Sequence, residues 1–228
     1  MAKAPVFLIT GASSGLGAAT ARHAVDAGHN VVLGARSLDK LEKLVAELGE
    51  KRALAVQCDV TDWDQQQALV AAAVDRFGQL DVVFANAGFG ATRGFLEETP
   101  EHWKEMVLTN VYGAALTIRA TMEELKKTKG HLLLTGSVAG RISIPGSLYS
   151  ATKWAVTAMG ESARLELSGS GVRTTLIEPG AVDTPFFDNA PSNALHSDDI
   201  ARAVIYAVSQ PAHVDVNEML IRPTSQGL

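Results

Sequence analysis

The stretch PVFLITGASSGLG, residues 5–17, carries the strongest structural signal in this chain. Its apolar first half predicts a buried β-strand, and the GxxxGxG pattern that follows opens a helix. Missing side chains at such a junction let the backbone turn tightly and approach a pyrophosphate, whose charge is met by the amides of the helix N-terminus. The alternative is a tight turn that binds nothing. We expect the loop to bind a dinucleotide through Gly11, Ser13, Ser14, Gly15, Leu16 and Gly17.

Short β-branched runs alternate with helical stretches through the rest of the chain. This alternation indicates a parallel sheet that is covered by helices on both faces. The predicted strands are Pro5–Thr10, Asn30–Ala35, Arg52–Gln57, Leu80–Ala85, Gly130–Thr135, Val172–Glu178 and Glu218–Arg222. Capping residues predict helix starts at Ser37, Thr61, Thr99 and Ser197. The sequence shows no repeat or linker, so we expect one doubly wound α/β domain over residues 1–228.

Composition narrows the class of protein. The 228 residues are 46% hydrophobic and 20% charged, which supplies a core and argues against disorder. The formal net charge is -5, with lysine and arginine spread along the chain, so no nucleic-acid partner is expected. No apolar run approaches the roughly 18 residues of a membrane span, and the first is too short for a signal-peptide core. A single cysteine, Cys58, suits a reducing compartment, and we expect a cytoplasmic protein without a membrane partner.

Two kinds of catalytic site find no support in the sequence. The six histidines show no pairing at metal-ligand spacing and have no neighbouring cysteine cluster, so no metal is expected. There is also no G-x-S-x-G motif of the kind that carries the nucleophile of serine hydrolases.

The residue after the second predicted strand bears on the choice of cofactor. A dinucleotide with a free ribose 2′-hydroxyl usually meets an acidic side chain there, whereas this strand ends in Gly34, Ala35 and Arg36. No carboxylate would repel a 2′-phosphate, and the guanidinium of Arg36 can bind one with its fork of donors. The alternative is a solvated arginine. We therefore expect NADP(H) to be preferred, with NAD(H) as the lesser cofactor.

Small and polar residues follow the third and fourth predicted strands. Asp59 and Val60 come after the third strand, and Asn86, Ala87 and Gly88 come after the fourth. Open α/β sheets bind ligands at the carboxyl ends of their strands, so these residues are candidates for cofactor contacts. Each pattern alone is as typical of an ordinary turn. Their order along the chain is what favours a site.

Tyr149 and Lys153 form a pair that points to chemistry. They lie four residues apart in a predicted helix, so both side chains project from one face. The pKa of the phenol must fall by about 3 units for the group to exchange protons near neutral pH, and a shift of this size corresponds to roughly 4 kcal/mol. One nearby ammonium supplies about 1 to 3 units, and a second positive charge, such as an oxidised nicotinamide, can supply the rest. The pair therefore predicts a general acid/base.

Four further residues are candidates for the same site. Ser137 ends the fifth strand and can stabilise charge on a substrate oxygen, although a lone serine there more often caps a helix. Asn110 falls inside a predicted helix, where asparagine is a poor helix former, so it either has a function or bends the helix. Phe89 and Phe186 lie after predicted strand ends and are candidates for an apolar substrate pocket, with core packing as the alternative.

Over nearly its whole length the chain resembles the short-chain dehydrogenase/reductase family. The motifs that carry the resemblance are TGASSGLG, Asp59-Val60, Asn86-Ala87-Gly88, Asn110, Ser137, Tyr149-x-x-x-Lys153 and Pro179-Gly180-x-Val182-x-Thr184. It implies a single-domain Rossmann fold with seven parallel strands in the order 3-2-1-4-5-6-7. It also implies a homotetramer or homodimer that packs partly through the helix bearing Tyr149, where Ala151, Ala155 and Ala158 are compatible with close packing.

The resemblance gives each candidate a role. Tyr149 would be the general acid/base, and Lys153 would lower its pKa and bind the nicotinamide ribose. Ser137 would orient the substrate carbonyl, and Asn110 would hold a water molecule of the proton relay. The nicotinamide would be flanked by Pro179, Gly180, Val182 and Thr184.

The implied reaction interconverts a small carbonyl compound, an aldehyde, ketone or keto form of a hydroxy acid, and its secondary alcohol. Many NADPH-preferring members have a basic residue where Ser14 stands, so Arg36 alone would carry the cofactor preference. The tail, residues 210–226, resembles a subgroup that includes 3-hydroxy acid and serine dehydrogenases. A substrate loop at about 184–197 would be short for the family. The alternative function is a non-catalytic dinucleotide-binding sensor or scaffold.

Overall fold

A seven-stranded parallel sheet forms the centre of the computed structural model, which describes residues 3–186 and 192–227. The strands are β1 (Val6–Thr10), β2 (Asn30–Ala35), β3 (Ala53–Gln57), β4 (Val82–Ala85), β5 (His131–Thr135), β6 (Arg173–Pro179), β7 (Val182–Asp183), β8 (Leu195–His196) and β9 (Glu218–Ile221). The large sheet runs β3-β2-β1-β4-β5-β6-β9, and β7 pairs only with β8. The expected fold class and strand order are confirmed, with β9 as the seventh strand.

Helices cover both faces of the sheet. Those in the described residues are α1 (Gly15–Asp26), α2 (Leu38–Leu48), α3 (Trp63–Phe77), α4 (Pro100–Val107), α5 (Ala114–Thr128), α6 (Leu148–Glu166) and α7 (Ser197–Ser209). Successive side chains of a strand point to opposite faces. In β1, Phe7 and Ile9 accordingly pack with α1, α2 and α7, whereas Val6 and Leu8 pack with α3, α5 and α6. None of the described helices is long and apolar enough to cross a membrane.

Strand boundaries agree with the prediction to within two residues. The largest difference is in β4, for which the sequence predicts a start at Leu80 and the structure shows one at Val82. The cause is Asp81, whose carboxylate accepts the N–H of Val6 at 2.7 Å and so takes the place of a ladder bond. The strands β7 and β8 were not expected, because two residues are too few to show an alternating pattern.

Helix starts follow the capping signals only in part. Ser37 and Thr99 are N-cap residues as predicted. The start predicted at Thr61 is wrong by one residue, because the carboxylate of Asp62 accepts the N–H of Gln65 at 3.0 Å and caps α3.

The expected substrate loop, residues 184–197, is described only at its two ends. The pairing of β7 with β8 holds these ends together, and the N–H of Leu195 donates to the carbonyl of Ala181 at 2.9 Å. Helix α7 follows directly, with His196 as its N-cap rather than the predicted Ser197. Residues 187–191 of the expected loop lie outside the described residues.

Candidate active site

A cleft of about 1240 Å³ opens at the carboxyl ends of the central strands. Loops that follow β1 to β6 form its walls, which is where open α/β sheets bind ligands. All the candidate cofactor residues except Gly17 line it, together with Ser137, Phe89 and Phe186. Gly17 and Asn110 are buried behind the wall. Among the described residues, no cluster of three or more His, Cys, Asp or Glu side chains is placed to hold a metal ion.

The glycine loop leaves room for an anion at the start of α1. Gly11 and Gly15 adopt φ values of +65° and +51°, which favour glycine. A Cβ on Gly17 would lie 2.5 Å from the carbonyl oxygen of Gly11, so this glycine lets the helix approach the turn. Ser14 is the N-cap, but its side chain makes no capping hydrogen bond. A pyrophosphate fits this set of residues, because uncapped first-turn amides attract negative charge.

One side of the cleft is built by the residues that follow β2 and β3. Arg36 is exposed there, and its guanidinium forms no ion pair with any described residue. The carboxylate of Asp59 accepts hydrogen bonds from the N–H and the hydroxyl of Thr61 at 2.9 and 2.8 Å. Asp59 therefore shapes a turn and lines the cleft as well. Val60 is buried against Gly113, where a Cβ would come within 2.7 Å of its Cγ2 atom.

Asn86 ties the ends of three neighbouring strands together. Its Nδ2 donates to the carbonyl of Thr10 at 3.0 Å, and its Oδ1 accepts from the hydroxyl of Thr135 at 3.0 Å. The Thr10 hydroxyl oxygen in turn accepts the N–H groups of Asn86 and Ala87 at 3.0 and 3.2 Å. The turn from Asn86 to Gly88 is thus fixed to β1 and β5, and it forms the floor of the cleft.

The loop after β6 passes over the glycine loop. Its cleft-lining members include Pro179, Gly180, Val182 and Thr184, and their contact with a nicotinamide stays a prediction. A Cβ on Gly15 would be 3.4 Å from Thr184, which places the two loops in contact range. The side-chain oxygen of Gln226 accepts the N–H of Ala181 at 2.9 Å, and it leaves no room for a Cβ on Gly180. The C-terminal segment, which lines the same cleft, therefore supports this loop.

Tyr149 and Lys153 lie on the first turns of α6 and both line the cleft. The helix starts at Ser147, whose hydroxyl accepts the N–H of Ser150 at 3.1 Å. Lys153 is 5% exposed, and its ammonium donates to the carbonyl of Thr135 at 2.7 Å. Its Nζ is 5.7 Å from the centre of the Tyr149 ring. The helix therefore presents both groups to one cleft, as their spacing predicts.

Burial shifts the pKa of both groups. It raises the pKa of Tyr149 to about 12, although hydrogen bonding with the Ser137 hydroxyl lowers it in part. It lowers the pKa of Lys153 to about 8. In the protein alone, loss of solvation therefore outweighs any help that Lys153 gives to ionisation of the phenol. The lowering of the Tyr149 pKa that the resemblance assigns to Lys153 stays a prediction for the cofactor-bound state.

Ser137 lies between α6 and the loop after β6. It is the N-cap of a short 3₁₀ turn, Val138–Gly140, and its Oγ accepts the N–H of Ala139 at 3.1 Å. The same hydroxyl donates a long hydrogen bond of 3.4 Å to the carbonyl of Pro179. Ser137 is thus a cap residue, as the alternative interpretation has it, and it also faces Tyr149.

Asn110 lies in a π-helix, Leu108–Gly113, that joins α4 to α5. Its Oδ1 accepts the N–H of Phe89 at 3.0 Å, and its Nδ2 donates to the Phe89 carbonyl at 2.9 Å and to the Thr152 hydroxyl at 3.1 Å. Both amide protons are therefore used within the protein. The side chain links the loop after β4 to α6, and its role toward a water molecule stays a prediction.

Aromatic rings border the substrate side of the cleft. The Phe186 ring meets the Tyr149 ring edge-on, with 5.4 Å between their centres. It also lies over Gly90, where a Cβ would come within 2.7 Å of its Cζ atom. Phe89 packs edge-on against His102 at 5.2 Å. Phe186 therefore lies beside the candidate catalytic tyrosine, and Phe89 lines the same cleft.

Several residues of the site carry no sequence signal that we used. Ile142, Ile144 and Pro145 line the substrate side, in the segment between Ser137 and Tyr149. The pattern Ile-x-Ile-Pro, which stands just before α6, is the signal that could have identified them. The partners Thr10, Thr135 and Thr152 are distant in sequence from the residues they bind, so only the fold reveals them.

Known proteins resemble this chain throughout. Residues 5–194 match the family described as short chain dehydrogenase. An uncharacterized oxidoreductase of Staphylococcus saprophyticus is 40% identical, and the match covers 99% of this chain and 98% of that protein. An alcohol dehydrogenase from the archaeon Thermococcus sibiricus, complexed with 5-hydroxy-NADP, matches with a TM-score of 0.92 and 34% identity over 99% of both chains. A 3-ketoacyl-(acyl-carrier-protein) reductase from Brucella melitensis, complexed with NADH, matches with a TM-score of 0.91 and 27% identity over 97% of this chain and 98% of that one.

Proposed function

This chain belongs to the short-chain dehydrogenase family, and we propose that it is an NADP(H)-dependent oxidoreductase that interconverts a carbonyl compound and a secondary alcohol. Its substrates would be small aldehydes, ketones or hydroxy acids. The observation that carries the proposal is that Tyr149, Ser137 and Lys153 are grouped in the same cleft that a glycine loop suited to a pyrophosphate lines.

The bound cofactor would supply the hydride, and the protein would handle the proton. In carbonyl reduction the Tyr149 hydroxyl would donate its proton to the carbonyl oxygen. The Ser137 hydroxyl lies next to the same phenol and can donate to that oxygen as charge develops on it. Below its lowered pKa of about 8, Lys153 carries a positive charge beside the phenol and can stabilise the tyrosinate that is left.

The raised pKa of Tyr149 sets the expected pH dependence of the two directions. With a pKa of about 12 in the protein alone, the phenol is protonated through neutral pH and ready to act as an acid. Alcohol oxidation instead needs the tyrosinate. We therefore expect the oxidation rate, followed by nicotinamide absorbance, to rise with pH up to about 8, the lowered pKa of Lys153, above which the charge that stabilises the tyrosinate is lost. The rate of carbonyl reduction should change little below that pH.

Arg36 supports the choice of NADP(H). It lies at the end of β2 beside the cleft, and its guanidinium has no ionic partner among the described residues. A 2′-phosphate would supply that partner. NAD(H) would bind without this contact and therefore more weakly.

Two properties complete the proposal. We expect the enzyme to act in the cytoplasm as one domain over residues 1–228, with residues 184–197 as its substrate loop. We also expect a homodimer or homotetramer. Helix α6 supports this expectation, because it presents an exposed stripe that includes Ala151, Trp154, Ala158 and Leu165.

The test is nicotinamide absorbance during incubation with a panel of aldehydes, ketones, hydroxy acids and alcohols, using both cofactors. Tyr149→Phe should lower turnover by about 10²- to 10⁴-fold and leave NADPH binding largely intact. Tyr206→Phe, on the exposed face of α7, is the matched control. Retained activity in Tyr149→Phe would refute the assigned acid. Tight NADPH binding without turnover of any substrate would favour the sensor.

A further inference from the structure

A buried ion pair lies directly behind the Ser137 turn, and the proposed reaction does not use it. Glu178, in β6, is 1% exposed, and its carboxylate accepts a hydrogen bond of 2.7 Å from Nε of Arg141. The guanidinium of Arg141 also forms an ion pair with Glu218 on β9. Arg141 is therefore not free to bind an anionic substrate. A carboxylate as deep as that of Glu178 has to be paired, because an isolated buried charge is strongly unfavourable.

Arg141 is part of the turn that presents Ser137. It follows the 3₁₀ turn Val138–Gly140, and its N–H donates to the carbonyl of Val138 at 2.9 Å. At the other end of this turn the N–H of Gly140 donates to the carbonyl of Ser137 at 2.9 Å. Since the Arg141 side chain is fixed to β6, the whole turn is held at a defined distance from that strand.

Glu178 reaches the catalytic helix as well. Its Oε1 lies 3.3 Å from the hydroxyl of Thr157, which is one helical turn beyond Lys153 on α6. Two glycines allow this close packing. A Cβ on Gly136 would be 2.8 Å from Cγ of Glu178, and a Cβ on Gly140 would be 2.7 Å from the carbonyl oxygen of Lys153. One carboxylate oxygen on β6 thus contacts both the Ser137 turn and α6. The same strand leads into the loop that passes over the glycine loop.

We propose that Arg141 and Glu178 are positioning residues whose ion pair fixes the Ser137 hydroxyl against the phenol of Tyr149. The proposal rests on the proposed function in assuming that these two hydroxyls act on the substrate. Folding stability alone does not require an ion pair here, because apolar residues of similar volume often replace a buried ion pair without loss of stability. An apolar pair cannot reproduce a directional hydrogen bond of fixed length between the turn and β6.

The test removes both charges at once. Arg141→Met/Glu178→Met leaves no unpaired buried charge, and Arg141→Leu/Glu178→Leu is measured alongside it so that the result does not depend on one packing arrangement. We expect folded proteins whose kcat is lower by about 10- to 100-fold, the range for a misplaced catalytic group, with the Kd for NADPH little changed. Arg22→Met/Glu47→Met, which removes an exposed ion pair between α1 and α2, should leave kcat unchanged.

A second readout does not depend on turnover. The chain has three tyrosines, so the ¹³C resonance of the Tyr149 ring carbon that bears the hydroxyl can be assigned by its loss in Tyr149→Phe. The paired variants should move this resonance in the direction that Ser137→Ala moves it, and the Arg22/Glu47 control should not. An unmoved resonance in a folded paired variant would overturn the proposal, whether or not kcat falls. Should the wild-type enzyme turn over no substrate, the proposed function would fail and the resonance would still test the positioning.

Discussion

At the level of single side chains, Arg36 is the residue on which the cofactor preference depends. Arg36→Ala should weaken the binding of NADPH by roughly 1.5 to 3 kcal/mol, as expected for the loss of hydrogen bonds to a charged group. This loss corresponds to a Kd that is about 10- to 100-fold higher. NADH should bind nearly as before, because it lacks the 2′-phosphate. Fluorescence titration with both cofactors measures the effect. Arg76→Ala, an exposed arginine on α3, is the control, and an equal loss for NADH would count against the role of Arg36.

His131 links folding stability to pH. It is 1% exposed, and burial lowers its pKa to about 3. The Thr175 hydroxyl donates to the carbonyl of Val216 at 2.6 Å and therefore accepts from His131 Nε2 at 2.7 Å, so Nδ1 is the unprotonated nitrogen. No described group accepts from Nδ1, which leaves a proton there without a partner.

Because the folded pKa of His131 lies below the unfolded value of about 6.5, the unfolded chain binds the proton more tightly. Stability should therefore be constant above that pH and fall by about 1.4 kcal/mol for each unit below it, until the folded pKa near 3 is reached. Urea unfolding at about pH 7.5 and about pH 5.5 measures the loss. His131→Gln should remove this part of the pH dependence. The exposed control His213→Gln should keep it, and an unchanged slope in His131→Gln would contradict the assignment.

Sequence patterns identified single residues best at two kinds of position. At one kind the chemistry requires a particular reactive side chain, and at the other the backbone requires glycine, which has no side chain. The glycines at 11, 15 and 17 and the pair Tyr149 and Lys153 belong to these kinds, and the structure places them at or directly behind one cleft. The pairing of Arg141 with Glu178 could not be predicted, because 37 residues separate them and only the neighbouring positions of β5 and β6 bring them together.

Among the structural elements, the loop after β6 depends on the C-terminal segment. Gln226→Ala removes the acceptor for the N–H of Ala181, a net loss of about 1 kcal/mol for a neutral hydrogen bond. Since this loop lines the cleft, we expect the Kd for NADPH to rise by about 5-fold, as measured by fluorescence titration. Gln210→Ala, which removes one hydrogen bond to the carbonyl of Tyr206 outside the cleft, is the matched control. Equal affinities in the two variants would show that the contact does not position the loop.

The π-helix Leu108–Gly113 is an irregularity whose position the sequence indicates but whose type it does not. The poor helix former Asn110 indicated an irregularity, but a preference scale does not distinguish a bend from a wider helical turn. The deciding contacts are the three hydrogen bonds of Asn110 to Phe89 and Thr152, both far along the chain. Such contacts exist only once α6 and the loop after β4 have packed together.

For the molecule as a whole, the alternation of strands and helices predicted the layers, whereas the strand order came from the family resemblance. The alternation follows from local patterns, since a strand buried on both faces reads as a continuous apolar run. The order of neighbours depends on which strands pair, as β1 does with β2 on one side and β4 on the other. No local pattern within β1 encodes that choice.

Assembly into an oligomer is the remaining property of the whole molecule, and the exposed stripe on α6 supports it. Ala158 is exposed on this helix, and a large charged side chain there would separate two subunits that pack through the stripe. We expect Ala158→Arg to reduce the number of subunits seen in light scattering coupled to gel filtration, from two to one for a dimer or from four to two for a tetramer. Ala71→Arg, at an exposed alanine on α3, should leave the oligomer intact. A wild-type monomer, or an oligomer that Ala158→Arg does not disturb, would show that this helix face is not the interface. Because the stripe lies on the helix that carries Tyr149 and Lys153, the dissociated variant would also show whether the catalytic helix needs its neighbour for activity.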